Sequence, residues 1–139
     1  MVLDCSSLEN ALGQLEESLI YLASDGARQD PAVHRLFRTA VIKSFEYTYE
    51  LAIKMIRRKL AQIVAHPAGL REIDFMEVIR LAYEADLIQE VPRYKRFREV
   101  RNITSHTYNQ SKADEALNIM KDFIAEMQYL LHALQQSRS

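Results

Sequence analysis

A chain of 139 residues with 48% hydrophobic side chains is long enough to bury one core, and with three Gly, three Pro and no clear period-two alternation it argues against a sheet and for helices. A net charge of −1 excludes a globally basic nucleic-acid binder while leaving room for a local basic patch. The single cysteine, Cys5, excludes an intrachain disulfide and a multi-cysteine metal site. Residues 1–7 lack a basic segment leading into an apolar one, and no apolar run reaches about 18 residues, so the expectation is a cytoplasmic protein with no membrane span and a single domain over residues 1–139.

Leu8, Leu12, Leu15, Leu19 and Leu22 recur at spacings of four and three, which predicts a first helix running to about residue 24. The segment Ser24-Asp25-Gly26-Ala27 reads as its end, with Gly26 in the left-handed conformation of a C-cap and a short loop beyond. Asp30-Pro31 reads as an N-cap followed by proline at the first helical position, where a missing N–H costs nothing. The helix it opens continues towards residue 65. Phe37, Val41, Phe45, Thr48, Ala52 and Met55 form one stripe and Ile42, Tyr49 and Ile53 a second, so this helix contacts neighbours on two sides and is the centre of a bundle. Glu50 and Lys54 are expected to pair on its remaining exposed face, and His66-Pro67-Ala68-Gly69 to end it.

Asp74 and Glu77 have capping-box spacing and open a third helix that buries Phe75, Met76, Ile79, Ala82 and Tyr83 and ends near Asp86-Leu87-Ile88. This stretch is acidic. The next is basic: Arg93, Lys95, Arg96, Arg98 and Arg101 stand against Glu99 alone. Val91-Pro92 starts a fourth helix with the narrow apolar edge Tyr94, Phe97 and Val100, which weakens at Thr104-Ser105 because both hydroxyls compete for backbone hydrogen bonds. Asn109-Gln110-Ser111 caps the last helix, read as one seam from Ala113 through Met120, Phe123 and Met127 to Leu134, with a frayed tail over residues 135–139. The expected fold is all-α, an antiparallel up-and-down four-helix-type bundle with an additional short helix.

Chemistry concentrates in residues 101–109, which place Arg, Asn, Thr, Ser, His and Tyr side by side. A Gly-rich phosphate loop, a GxSxG elbow and HExxH are missing, and so are the Gly-Ser and paired aspartates with which nucleotidyltransferases hold magnesium. No metal ligand set and no cofactor is expected. Arg101 and His106 suit phosphate esters: the guanidinium offers a fixed fork of donors, and imidazole moves a proton near neutrality. With the ribose 2′-OH as internal nucleophile, such a pair cleaves RNA without metal. On an undistorted helix, however, an i, i+5 pair diverges by about 140°, so the two meet only if the backbone breaks near Thr104-Ser105 or a second subunit completes the site. The structural alternative has His106 capping the helix and Arg101 paired with an acidic neighbour. The basic run likewise reads either as an RNA-attracting face, with Tyr94 and Phe97 interleaved, or as a solvated face paired with the acidic helix before it.

Arg101-Asn102-Ile103-Thr104-Ser105-His106-Thr107-Tyr108 resembles the Arg-x4-His-x-Tyr pattern of HEPN domains, and the longer string is similar to their nucleotidyltransferase substrate-binding subfamily. Phe45-Glu46-Tyr47-Thr48-Tyr49-Glu50-Leu51-Ala52, and Glu77-Val78-Ile79-Arg80 with Ala85-Asp86-Leu87-Ile88, extend the likeness over most of the chain. The resemblance implies a homodimer with the motifs near the subunit interface, binding of nucleotide or RNA, and a separate minimal nucleotidyltransferase as partner. Some HEPN members are metal-independent endoribonuclease toxins for which the nucleotidyltransferase acts as antitoxin; a purely structural dimerisation module is the remaining alternative. By that resemblance Arg101 stabilises phosphate, His106 is the acid and base, Asn102 orients the site, and Ser105, Tyr108 and Arg98 contact substrate. Tyr108 also matches a tyrosine that the partner modifies with AMP in some systems. Ile53 and Asp86 depart from the family, which often has Trp and Gly there.

Overall fold

The computed structural model describes residues 3–64, 74–106 and 109–136, and among them every regular element is helical. The expected all-α bundle is observed. Helix α1 spans Ser6–Leu22, α2 Asp25–Gln29, α3 Pro31–Ile63, α4 Phe75–Glu84, α5 Val91–Ile103, α6 Gln110–Asn118 and α7 Met120–Gln136; a 3₁₀ turn, Thr104–His106, follows α5 directly. No helix among the described residues is long and apolar enough to cross a membrane.

Helix α3 is the axis. Asp30 accepts the Ala32 N–H at 2.9 Å and Pro31 fills the first helical position, so the start matches its sequence signals. Its 33 residues extend about 50 Å at about 1.5 Å each. Helix α1 lies along it, and α4, α6 and α7 pack on its other sides. Val41, Ile42, Phe45, Thr48, Tyr49, Ala52, Met55, Ile56 and Leu60 are buried, more than one face of a helix can hold, which is the two-sided burial expected of the central helix. Phe123 of α7 joins the layers: its ring meets Phe45 edge-on at 4.8 Å and Phe97 of α5 at 5.1 Å, and Tyr94 packs on Phe97 at 5.2 Å.

Several local expectations are corrected. Helix α1 stops at Leu22, and Ser24, rather than ending it, caps α2 by accepting the Ala27 N–H. Gly26 lies inside α2 without a positive φ, because a serine cap at the preceding turn makes a left-handed glycine unnecessary. In α4, Asp74 accepts the Glu77 N–H at 2.9 Å as expected, but the buried face is Val78, Ile79 and Ala82, and Tyr83 is 54% exposed. The single last helix is two, broken at Ile119 after Asn118, both weak helix formers; the break lets Ala113 and Ala116 as well as Phe123 and Met127 face the core. Gln135 and Gln136 belong to α7. The expected stop at His66-Pro67-Ala68-Gly69 lies outside the described residues, as do Thr107, Tyr108 and the tail from 137.

Asp86 explains one family departure. It adopts φ 60°, where glycine is at ease and aspartate is tolerated, and its carboxylate accepts the Tyr129 hydroxyl at 2.6 Å.

One charge is buried outright. Glu126 of α7 is 0% exposed and accepts from Arg93 Nη1 at 2.9 Å and from the Gln89 backbone N–H at 3.0 Å. Arg93 also reaches Glu90 at 3.2 Å and Asp122 at 3.7 Å, so the first turn of α5 is tied to α7. Removing one partner of a buried pair strands the other. Glu126→Ala is expected to lower unfolding free energy by about 3 kcal/mol, read from urea unfolding followed by circular dichroism.

Candidate functional site

Helix α5 presents the motif with two different sides. Tyr94, Phe97, Val100 and Thr104 are buried, with Arg101 half-buried beside them, and face the bundle. Lys95, Arg98, Asn102 and Ser105, spaced three and four apart, are exposed and form a polar strip about 120° around the helix from that edge, with His106 also exposed. The expected substrate-binding residues Arg98, Asn102 and Ser105 thus share a face. Arg98 is anchored, its guanidinium lying 4.8 Å over the Phe75 ring of α4. The acidic side chains of α4 do not neutralise the basic run: Glu77 and Glu84 both bind Arg80 of their own helix.

Arg101 meets α3. Its Nη2 donates to Glu50 Oε1 at 2.8 Å, and its Nη1 lies 3.2 Å from both Glu46 Oε2 and Thr104 Oγ1. The Thr104 hydroxyl is 2.5 Å from Glu46 Oε2 and 2.8 Å from the Arg101 carbonyl, so its one proton serves two acceptors. Glu46 and Glu50 stand one turn apart on α3, and Arg101 and Thr104 one turn apart at the end of α5; four side chains on two helices therefore close a compact ion-pair network. Glu50 pairs with Arg101 in place of the Lys54 partner expected from sequence, because a guanidinium fork on an adjoining helix offers a stronger, fixed geometry than a flexible amine on its own helix. Arg101 Nε is buried without an acceptor. Sequence offers the i, i+4 acidic pair Glu46 and Glu50 but not the helix that it meets.

The backbone does break where sequence placed the weakness, but its geometry does not draw Arg101 and His106 together. A 3₁₀ residue advances about 120° against about 100° in an α-helix, so three of them add roughly 40–60° to the α-helical offset of about 140°. By that geometry the two side chains of one chain diverge; Arg101 is bonded to α3 and His106 is exposed. The His106 carbonyl accepts the Asn109 N–H at 3.0 Å, and Asn109 Oδ1 accepts from Ser111 at 2.9 Å and Lys112 at 3.4 Å, capping α6 as expected. Tyr108 lies outside the described residues. Among the described residues no cluster of three or more His, Cys, Asp or Glu side chains is arranged to hold a metal ion.

Tyr49, buried beside this network, has its hydroxyl pushed up to about 12 by burial, against the pull of Arg98 and Arg101. It remains protonated at neutral pH and is no general base.

These features coincide with a known family. Residues 3–136 match the family described as nucleotidyltransferase substrate binding protein like, and the chain belongs to it. A Haemophilus influenzae protein named probable ribonuclease HepT is 31% identical over 136 residues, which cover 96% of this chain and 93% of that protein. The structure of a Haemophilus influenzae protein, described as the fold of a substrate binding domain of a nucleotidyltransferase, superposes with a TM-score of 0.90 at 30% identity, covering 96% of this chain and 100% of that one. A Thermus thermophilus structure superposes at 0.73 with 29% identity, covering 93% and 99%.

Two outcomes follow from the network. Thr104→Val keeps the shape of the side chain but removes the hydroxyl from Glu46, and is expected to cost about 1–3 kcal/mol, measured by urea unfolding. Unfolded tyrosine loses its proton near pH 10, whereas Tyr49 in the fold holds it to about 12. Between those values the unfolded chain binds fewer protons, so stability falls as pH rises through this window. Thermal unfolding across that range is expected to show a shallower decline for Tyr49→Phe than for the parent protein.

Proposed function

We propose that this protein is the nucleotide- or RNA-binding subunit of a two-component system whose other chain is a minimal nucleotidyltransferase. The observation that carries the reading is the exposed strip of Lys95, Arg98, Asn102 and Ser105 on α5, next to His106: two cations to follow a phosphate backbone, then amide, hydroxyl and imidazole groups to bind ribose or base. Membership of the substrate-binding family supports it. So does the lack of the Gly-Ser and paired aspartates of nucleotidyl transfer, since the chemistry then falls to another chain.

A second reading is favoured by a specific observation, the exposed imidazole of His106 in a chain 31% identical to a probable ribonuclease. In this reading His106 takes the proton of a ribose 2′-OH, the oxygen attacks the adjacent phosphorus, and the 5′-oxygen leaves with a proton, giving a cyclic phosphate and a 5′-hydroxyl. Arg101 stabilises the charge that develops on the phosphoryl oxygens. Because the turn directs the two side chains apart, this chemistry pairs His106 of one subunit with Arg101 of another, and a homodimer is part of the proposal. Tyr108, two residues beyond His106 in the sequence, contacts substrate and accepts AMP from the partner in this reading; such a modification would add negative charge and repel RNA.

The test is incubation of purified protein with single-stranded RNA in EDTA, with affinity and cleavage measured for the parent, Arg101→Ala and His106→Ala. The binding reading expects at least about tenfold weaker RNA binding by a further variant, Arg98→Ala, in which the strip loses a cation while Arg101 keeps Glu46 and Glu50. The ribonuclease reading expects cleavage in the parent that disappears in both variants, with His106→Ala still binding RNA. Equal cleavage by all three would remove these residues from the chemistry, and absence of nucleotide and RNA binding by the parent would overturn the main proposal.

A further inference from the structure

Arginines inside this fold are matched with carboxylates. Arg93 has Glu90, Asp122 and Glu126, and Arg101 has Glu46 and Glu50. Arg38 is different. It is only 8% exposed, yet its Nη1 donates at 2.6 Å to a neutral group, the amide oxygen of Gln110, and among the described residues no carboxylate pairs with it directly. Gln110 passes the interaction on through its own NH₂, which donates at 2.9 Å to the exposed Asp114, so the nearest counter-charge stands a whole side-chain amide away.

The surroundings make this arrangement costlier. Gln110 is the first residue of α6, and the start of a helix carries partial positive charge, so a buried cation faces the wrong end of a helix dipole. The side chain of Asn109 already satisfies two of the free N–H groups there, which leaves the guanidinium as the group that still needs an anion. A buried charge persists without a direct counter-ion only at a cost in stability, and such costs are characteristic of sites kept for a ligand. The location fits: α6 packs against both α3 and the 3₁₀ turn that carries His106, and Arg38 lies about 12 Å along α3 from Glu46, the carboxylate that holds Arg101.

We propose that Arg38, steered by Gln110, forms a phosphate subsite for the nucleotide or RNA that this protein binds. The inference rests on the binding reading above and adds to it a guanidinium whose fork is not already taken by carboxylates. Phosphate bound there would supply the missing negative charge and lie at the positive end of α6.

The experiment uses the full chain and compares the parent with Arg38→Gln and Arg38→Lys. Binding of a labelled single-stranded RNA and of 5′-AMP is measured across a salt series, with thermal unfolding recorded without ligand. A phosphate contact predicts about tenfold weaker binding of RNA by Arg38→Gln and a salt-dependence slope smaller by about 0.7, the loss of one contact to a single strand. Weaker binding of 5′-AMP as well assigns the subsite to the free nucleotide, and weaker binding of RNA alone assigns it to the polynucleotide backbone. Arg38→Lys keeps the charge and the slope but loses several-fold in affinity, and it carries the test should the glutamine variant fold poorly. Unliganded Arg38→Gln is expected to melt no lower than the parent, since it relieves an unmatched charge. A parent that binds RNA, with both variants binding equally well at the same slope, overturns the subsite and leaves the binding reading standing. Dissociation of a dimer in Arg38→Gln with unchanged RNA affinity also overturns it, in favour of a carboxylate from a second copy. A parent that binds neither probe overturns both readings.

Discussion

Everything the motif does depends on how α5 is held, and α5 is held by charge at both ends. At its first turn Arg93 reaches the fully buried Glu126 of α7; at its last turn Arg101 and Thr104 reach Glu46 and Glu50 of α3. Between these ties Tyr94, Phe97 and Val100 enter the core, with Phe97 edge-on to Phe123. Apolar contacts alone tolerate small rotations about the helix axis. Two ion pairs to two different helices resist rotation, because turning α5 enough to improve one lengthens the other. The exposed strip is therefore presented in a fixed orientation, the preorganisation on which the proposed recognition of a phosphate backbone would rely.

The same fixing gives Arg101 a double character. Its terminal nitrogens are engaged by carboxylates, so under the proposed function it would reach a phosphate only by exchanging partners, one anion for another. Such an exchange costs less than desolvating a free guanidinium, because the cation has already left bulk water and its side chain is already ordered. Glu46 and Glu50 hold the guanidinium in position, and under the proposed function they would act as placeholders for a ligand.

Sequence patterns spoke clearly about elements whose causes are local. The Asp30-Pro31 start, the Asp74 cap, the buried edge of α5, the weakening at Thr104 and the Asn109 cap all follow from side chains acting within a few residues of themselves, and each is found in place. Two expectations failed where local signals compete: Gly26 suggested a stop although Ser24 provides a better start, and the apolar seam over α6 and α7 concealed a break at Ile119. The candidate site was legible as a composition but not as an arrangement. That Arg101 turns inward to Glu46 and Glu50, 51 residues away in the second case, depends on the register between α3 and α5, which no local pattern encodes. The same holds for Arg38, whose partner Gln110 lies 72 residues away. Charge neutrality is a property of places in the fold, so the residue lacking a counter-ion becomes visible only after the helices are assembled.

The unbroken length of α3 has a consequence for how such a protein can change. Arg38, Glu46 and Glu50 belong to one continuous helix, so their spacing along it is that of a ruler with marks about 1.5 Å apart. A side chain on this helix can be exchanged one position at a time. A single inserted or deleted residue between 38 and 50 would instead turn one mark against the others by about 100°, separating the Gln110 contact from the Arg101 network in one step. In the stretch from 38 to 50, a change of spelling keeps the marks in line and a change of length does not.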